Sequence, residues 1–193
     1  MDAQTDNSVG QRYFSGVADC VIWAEAQLLR DGAGSQLGKF IPRRGDSKDP
    51  AIRMTAEEVR DIAHTISCKV SHVKPHIAGT LYRFLCGASD MELAYQVSRD
   101  MGISIRAQIS APRTPITKLE ALALSVMQAE RRRKQFDQRT SVEKLAKRMG
   151  MTRDAMMKQP WADARLVAYK LTHEWVEVAE RQLGTMLDEI GVL

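Results

Sequence analysis

Apolar residues recur three and four positions apart along most of this chain, the period of helices buried on one side. Phe14, Val17, Val21, Ala24 and Leu28 form the first stripe and predict a helix over about 12–30, ended by Gly32 and Gly34. The next stretch, DGAGSQLGKFIPRRGDSKDP over 31–50, mixes Gly, Pro and both signs of charge and reads as a linker or long surface loop. Thr55, with Glu58 three residues later, is a capping box in which each side chain can satisfy a backbone donor of the other. The helix it opens carries Val59, Ile62, Ile66, Val70 and Val73. Pro75 stops that helix and starts another, with Ile77, Leu81, Phe84 and Leu85 facing inward before Gly87.

Ser89 with Glu92 is a second capping box, opening a helix with Leu93, Val97 and Met101, for which Gly102 predicts a left-handed end. Residues 104–109 read as one further short helix. Thr114 and Pro115 predict the cap and first turn of a helix bearing Leu119, Leu122 and Val126, which runs into a basic stretch and frays near Asp137. Thr140 with Glu143 is a third box, opening a short helix that reaches Met149 and breaks at Gly150. From Trp161 a long seam follows through Ala164, Ala168, Leu171, Trp175, Val178, Leu183, Leu187 and Ile190, roughly 45 Å at 1.5 Å per residue. It can pack on the helix begun at Pro115 or zip two chains into a homodimer. No alternation of period two competes, so the expected fold is all-α: a helical bundle with helix-turn-helix elements and a long C-terminal amphipathic helix. Three parts are expected: residues 1–50, helix and linker; 51–111, a helical domain; and 112–193, a basic helix-turn-helix with the long helix.

A chain of 193 residues can bury a core without disulfide or metal, and 44% hydrophobic with 27% charged residues argues for a folded one. Cys20, Cys68 and Cys86 are odd in number and far apart, so they read as thiols of a reducing compartment, the cytoplasm. Residues 1–10 carry Asp2 and Asp6 but no Lys or Arg, and no apolar run reaches membrane-spanning length. Neither a signal peptide nor a membrane anchor is expected.

The net charge of +4 is mild, but its distribution is not. Between Gln128 and Lys158 stand ten cations, Arg131, Arg132, Arg133, Lys134, Arg139, Lys144, Lys147, Arg148, Arg153 and Lys158, against four carboxylates, a local net of +6. From Pro160 onward three cations face six carboxylates, so a basic segment abuts an acidic one.

The basic segment also holds a motif, VEKLAKRMGMTRDAMMK over 142–158. Leu145, small Ala146, Gly150 and Met149, Met151 and Met156 are spaced as in a helix-turn-helix, where Ala allows close approach and Gly the unusual turn angle. Thr152 would cap the second helix, presenting Thr152, Arg153, Lys158 and Gln159 to base edges of double-stranded DNA. Lys144, Lys147, Arg148 and the run Arg131, Arg132, Arg133 and Lys134 would meet phosphates. Gln159 stands where an inward apolar residue is usual, and Pro160 limits the second helix to about two turns. A poorer match, SDMELAYQVSRDMGISIRAQ, would place Ser104, Arg106 and Gln108 on a second reading turn, although a packing corner explains it as well.

The run LYRFLCGASDMELAYQVSRDMGIS, with its Gly-Ile-Ser turn, resembles the sigma-region-4-like helix-turn-helix of phage late-gene antitermination proteins of the Q type. The tail WADARLVAYKLTHEWVEVAERQL is similar to the long helix that follows in such proteins, and the pattern also resembles AlpA-type lysis-gene regulators. The resemblance covers about residues 77–183. It implies transcription antitermination: binding at a promoter-proximal DNA site, loading onto RNA polymerase and passage through terminators. The resemblance carries over no polymerase-contacting residue.

His64, Cys68 and His72 lie four apart and share one helix face, a weak zinc candidate for which His76 or Cys86 would have to supply a fourth ligand; an ordinary polar face is the simpler reading. No phosphate loop, nucleophile elbow, HExxH or paired-carboxylate motif is visible, so neither an enzyme nor a cofactor is expected. Two non-enzymatic alternatives to an antiterminator stay open: a dimeric helix-turn-helix repressor or activator, and a helical protein-protein adaptor that binds no DNA.

Overall fold

A computed structural model describes residues 14–33, 55–88, 90–109 and 113–193. Among them every regular element is a helix: α1 (Val17–Ala33), α2 (Ala56–Ser71), α3 (His76–Cys86), α4 (Met91–Gln108), α5 (Ile116–Phe136), α6 (Val142–Arg148), α7 (Arg153–Met157) and α8 (Trp161–Asp188). The all-α expectation holds. No helix among the described residues is long and apolar enough to cross a membrane. From residue 34 on, the linker read over 31–50 lies outside the described residues, as does Ser89.

The chain divides into two compact units, residues 70–182 and residues 1–69 with 183–193. Neither expected division, near 50 or near 111, coincides with these bounds. The one at 111 fails because α4 and α5, on either side of it, form the most extensive helix pair of their unit.

The core of the 70–182 unit follows from the apolar stripes. Leu81, Phe84 and Leu85 of α3, Ala94, Val97, Met101 and Ile105 of α4, and Leu119, Leu122, Val126 and Met127 of α5 form one buried cluster. Leu145, Ala146 and Met156 join it from α6 and α7, as do Ala164, Ala168 and Leu171 from α8. This half of the long seam is therefore spent inside the chain's own core, while Trp161 and Trp175 pack half-buried at its margin.

Polar side chains of α5 close the end of α3. Gly87, at φ 130, lets its own N–H and that of Ala88 turn back to Phe84 and Arg83 carbonyls. The carbonyls left over are taken by α5: Arg131 donates to Gly87 O at 3.0 Å and Ala88 O at 3.1 Å, and Gln135 donates to Leu85 O at 3.1 Å. Lys134 joins α5 to α8 through Glu180 at 2.6 Å, and the buried Tyr82 donates to the same carboxylate at 3.1 Å.

In the other unit, Thr55 and Glu58 form the expected capping box: Thr55 N–H donates to Glu58 Oε2 at 2.7 Å and Glu58 N–H to Thr55 Oγ1 at 3.2 Å. These bonds hold the Glu58 carboxyl below its usual range. Cys20, Val21 and Ala24 of α1 are buried, as are Ala63 and Ile66 of α2 and Leu183 and Leu187 of α8. Burial, helped by Asp19, pushes the Cys20 thiol up to about 12, so it acts as a small apolar residue. Gly32 lies inside the last turn of α1 rather than ending it.

Candidate nucleic-acid interface

Helices α6 and α7 are joined by a short turn at Gly150. Ser141 caps α6, its hydroxyl accepting from Lys144 N–H at 3.3 Å, one residue after the predicted Thr140. Thr152 caps α7 as predicted, accepting from Ala155 N–H at 3.2 Å. Between them Met151 N–H reaches back to Ala146 O at 3.0 Å, and Gly150 sits at φ 65. Beneath the turn Leu145, Ala146 and Met156 are buried, and half-buried Met149 touches the Ser125 hydroxyl of α5 through its sulfur at 3.8 Å. A Cβ added to Gly150 would meet nothing within 4 Å, so its left-handed angle is the sole local demand. Gly150→Ala should therefore cost about 1–2 kcal/mol in a denaturation titration. An unchanged midpoint would show that the turn places no such demand.

Above the turn Glu143, Lys147, Gly150, Met151, Thr152 and Arg153 line one open concavity. Lys144, three residues before Lys147, is exposed, as are Lys158 and Gln159 beyond the end of α7. Helix α7 is shorter than expected, five residues ending at Met157 with Lys158 as its C-cap.

The phosphate-contact set divides. Arg132, Lys144, Lys147 and also Arg139 are exposed. Arg131 and Lys134 are withdrawn from it, because both are committed to the fold. The Arg131 guanidinium lies 4.8 Å from the Phe84 ring centroid while it closes α3, and Lys134 lies 4.6 Å from the Tyr82 centroid while it pairs with Glu180. Arg133 is exposed but pairs with Glu130 at 2.7 Å. Arg148 is half-buried; burial, then the charge of Arg132, lowers its pKa from the usual arginine value, and Tyr169 opposes them.

The second reading turn does not exist. α4 runs unbroken through Gly102, Ile103 and Ser104, and the Ser104 hydroxyl donates back to Asp100 O at 3.0 Å, a bond of the helix interior. Asp90 caps this helix, accepting from Glu92 and Leu93 N–H. Arg106 and Gln108 are exposed in its last turn and belong to no corner. Gly102 serves packing instead: a Cβ there would lie 2.8 Å from Glu120 Cγ and 3.1 Å from Glu120 N, on α5.

His64 and Cys68 are exposed on α2, and His72 is exposed in the turn after it, with His76 exposed and Cys86 buried. Among the described residues no group of three or more His, Cys, Asp or Glu could hold a metal ion. His173 is exposed on α8.

No family model, curated protein or solved structure matches the chain. The site therefore rests on its own geometry. Arg165, which the sequence marks only as a cation of the acidic tail, reaches the Met157 sulfur of α7 at 3.8 Å, and Tyr169 lies four residues on, both half-buried beside Ala164 and Ala168. Burial raises the Tyr169 phenol above its ordinary value, Glu130 adds to this, and Arg165 and Arg148 oppose it. The signal was available: a cation flanking the apolar seam at the spacing that brings side chains together on a helix.

Proposed function

We propose that this protein is a DNA-binding transcription regulator whose α6–turn–α7 corner meets duplex DNA. The observation that carries the reading is the concavity in which Lys147 and Arg153 flank the Gly150 turn, on a corner whose underside is apolar and buried. Lys144, one turn before Lys147 on α6, and Lys158 at the end of α7 are exposed as well, so the corner's cations suit an anionic partner.

Thr152, Arg153, Lys158 and Gln159 are assigned to base edges, and Arg132, Arg139, Lys144 and Lys147 to phosphates. The fork of Arg153 matches guanine O6 and N7, a pairing worth about 1–3 kcal/mol of discrimination. Glu143, in the same concavity, repels phosphate and accepts from the exocyclic amine of cytosine. The concavity thus favours bases over backbone, while the surrounding lysines fix position.

The resemblance to Q-type antiterminators extends the proposal to RNA polymerase: the protein loads at its site and travels with the enzyme through terminators. That extension rests on the long α8 and on the pair α3–α4, since the Gly-Ile-Ser stretch of α4 is helical here.

Selection of bound duplexes from a random library tests the proposal. One sequence class should be enriched, and Arg153→Ala should lower affinity for it about tenfold and relax the preference at a guanine, a loss within the discrimination of one bidentate pair. Lys144→Ala should weaken all sequences alike. With polymerase started beside the selected site, readthrough of a downstream terminator supports the antiterminator, and blocked initiation would support a repressor instead. A library returning no enriched duplex contradicts the proposal.

A further inference from the structure

The face of α5 that turns toward the α6–α7 corner ends in an exposed aromatic ring. Ser125, Ala129, Arg132 and Phe136 follow one another at steps of four, three and four, which on a helix of about 100° per residue places them within about 60° of each other. Ser125 and Ala129 are buried, and the Ser125 hydroxyl meets the sulfur of Met149, at the end of α6, at 3.8 Å. Beyond Ala129 the stripe leaves the core. Arg132 is exposed, and Phe136, the last residue of α5, is 55% exposed, so most of its ring meets water. The helix end beneath it is closed: Asp137 is left-handed at φ 53 and its N–H donates to Arg133 O at 3.0 Å, while Gln138 N–H donates to Arg132 O at 3.4 Å.

A single exposed apolar side chain is common on a protein surface, so the surroundings of this one decide what it suits. Arg132 lies four residues before it and Arg133 three, the spacings that bring side chains together on a helix, and both are exposed. Arg139 is exposed three residues beyond it, and Asp137 is the one carboxylate between Arg132 and Arg139. A protein partner that covered the ring with apolar side chains would also cover these guanidinium groups and strip their hydration. A second copy of the chain would set the same arginines against one another. A nucleobase does neither, because it is a flat apolar face tethered to an anionic phosphate on each side. Within a paired helix the base faces are already stacked on one another, so the base that fits the ring is an unpaired one.

We infer that Phe136 is a stacking platform for an unpaired base, with Arg132 and Arg139 on the phosphates beside that base. The inference rests on the DNA reading above and narrows it. The α6–α7 corner holds duplex, and the last turn of α5, on the corner's side, receives a strand that has left the duplex. The preferred ligand is therefore a duplex continued by single strand.

Binding of the full chain to a mixed-sequence duplex, followed by fluorescence anisotropy at low salt, tests this with three probes. The first is blunt, the second is extended at both ends of one strand by a short run of thymines, and the third carries extensions of the same length without bases. The thymine extensions should tighten binding about tenfold over the blunt duplex, within what one stacked base contributes. The baseless ones, which keep the phosphates, should tighten it by about threefold at most. Phe136→Leu, which keeps an apolar side chain but no ring, should bind both extended probes equally with its unfolding midpoint unchanged, and Phe136→Trp should retain the preference for bases. Equal binding of thymine and baseless extensions by the wild type, or a preference that survives Phe136→Leu, overturns the inference and leaves the duplex reading of the corner intact. A preference for thymine strand over baseless strand that depends on Phe136, in a protein that ignores the blunt duplex, keeps the platform and overturns the corner reading. Binding of none of the probes overturns both.

Discussion

Arg131→Ala should lower the unfolding free energy by about 2–4 kcal/mol, while Arg132→Ala, one residue on, should leave it within about 0.5 kcal/mol. The two arginines are adjacent in the sequence and opposite in role. Arg131 supplies two hydrogen bonds to the carbonyls that end α3 and covers the Phe84 ring, and its loss would orphan acceptors at a half-buried helix end. Arg132 is exposed and makes no such bond, and its nearest electrostatic consequence is repulsion of Arg148. On DNA the order inverts. Arg132→Ala should weaken every sequence alike, whereas folded Arg131→Ala protein should bind within about threefold of wild type, because its cation never faced the backbone. Urea titration of both variants, followed by duplex binding of each, checks the pair. Equal destabilisation, or a larger binding loss in Arg131→Ala, would mean that the basic run has been divided at the wrong residue.

The second large effect is expected at Gly102. Alanine there places a Cβ 2.8 Å from Glu120 Cγ and within 3.3 Å of backbone atoms of the same residue, so the Glu120 side chain must shift and the α5 backbone must give by a few tenths of an ångström, in the most extensive helix pair of the unit. Overpacking of this kind costs about 1–3 kcal/mol, more than the roughly 1 kcal/mol that alanine returns as a better helix former. Asparagine discriminates between the two uses of glycine. In a left-handed turn it is tolerated nearly as well as glycine, whereas in a close helix crossing its larger side chain is worse than alanine. Thermal unfolding of Gly102→Ala and Gly102→Asn should therefore place asparagine below alanine. The reverse order would restore the turn that the sequence pattern suggested.

The all-helical class was legible because the apolar stripes are strong and nothing with period two competes. From α2 on, the helices begin within a residue of their punctuation, whereas α1 begins at Val17 rather than near 12, and the separate helix read over 104–109 is the end of α4. Thr55 and Thr152 cap as expected, but α6 is capped by Ser141 rather than Thr140, α4 by Asp90, and α5 has Pro115 in the cap position. Ser, Thr and Asp all accept the same backbone donor. Where two such residues are adjacent, the register is decided by which apolar residues reach the core, and for α6 these are Leu145 and Ala146. Gly102 failed for a related reason: a glycine marks either a turn or a close approach, and only the partner helix tells them apart.

The candidate site was legible in part. Gly150, Ala146 and the methionines beneath the turn stand where their sizes and backbone freedom required. The charge run misled because Arg131 and Lys134 find their partners 43 to 46 residues away, at Ala88, Gly87 and Glu180, and nothing local marks them. Two cations three residues apart on one side of α5 look identical in sequence whether they face water or a neighbouring helix.

The central claim is that the exposed cations around the α6–α7 corner, Arg132, Arg139, Lys144, Lys147, Arg153 and Lys158, act as one surface that displaces counterions from a duplex. The salt dependence of wild-type binding tests it directly. The four assigned to phosphates, Arg132, Arg139, Lys144 and Lys147, at about 0.9 each predict a log–log slope near −4 between about 50 and 200 mM salt. A slope near zero, or no duplex binding at the low end of that range, would contradict it.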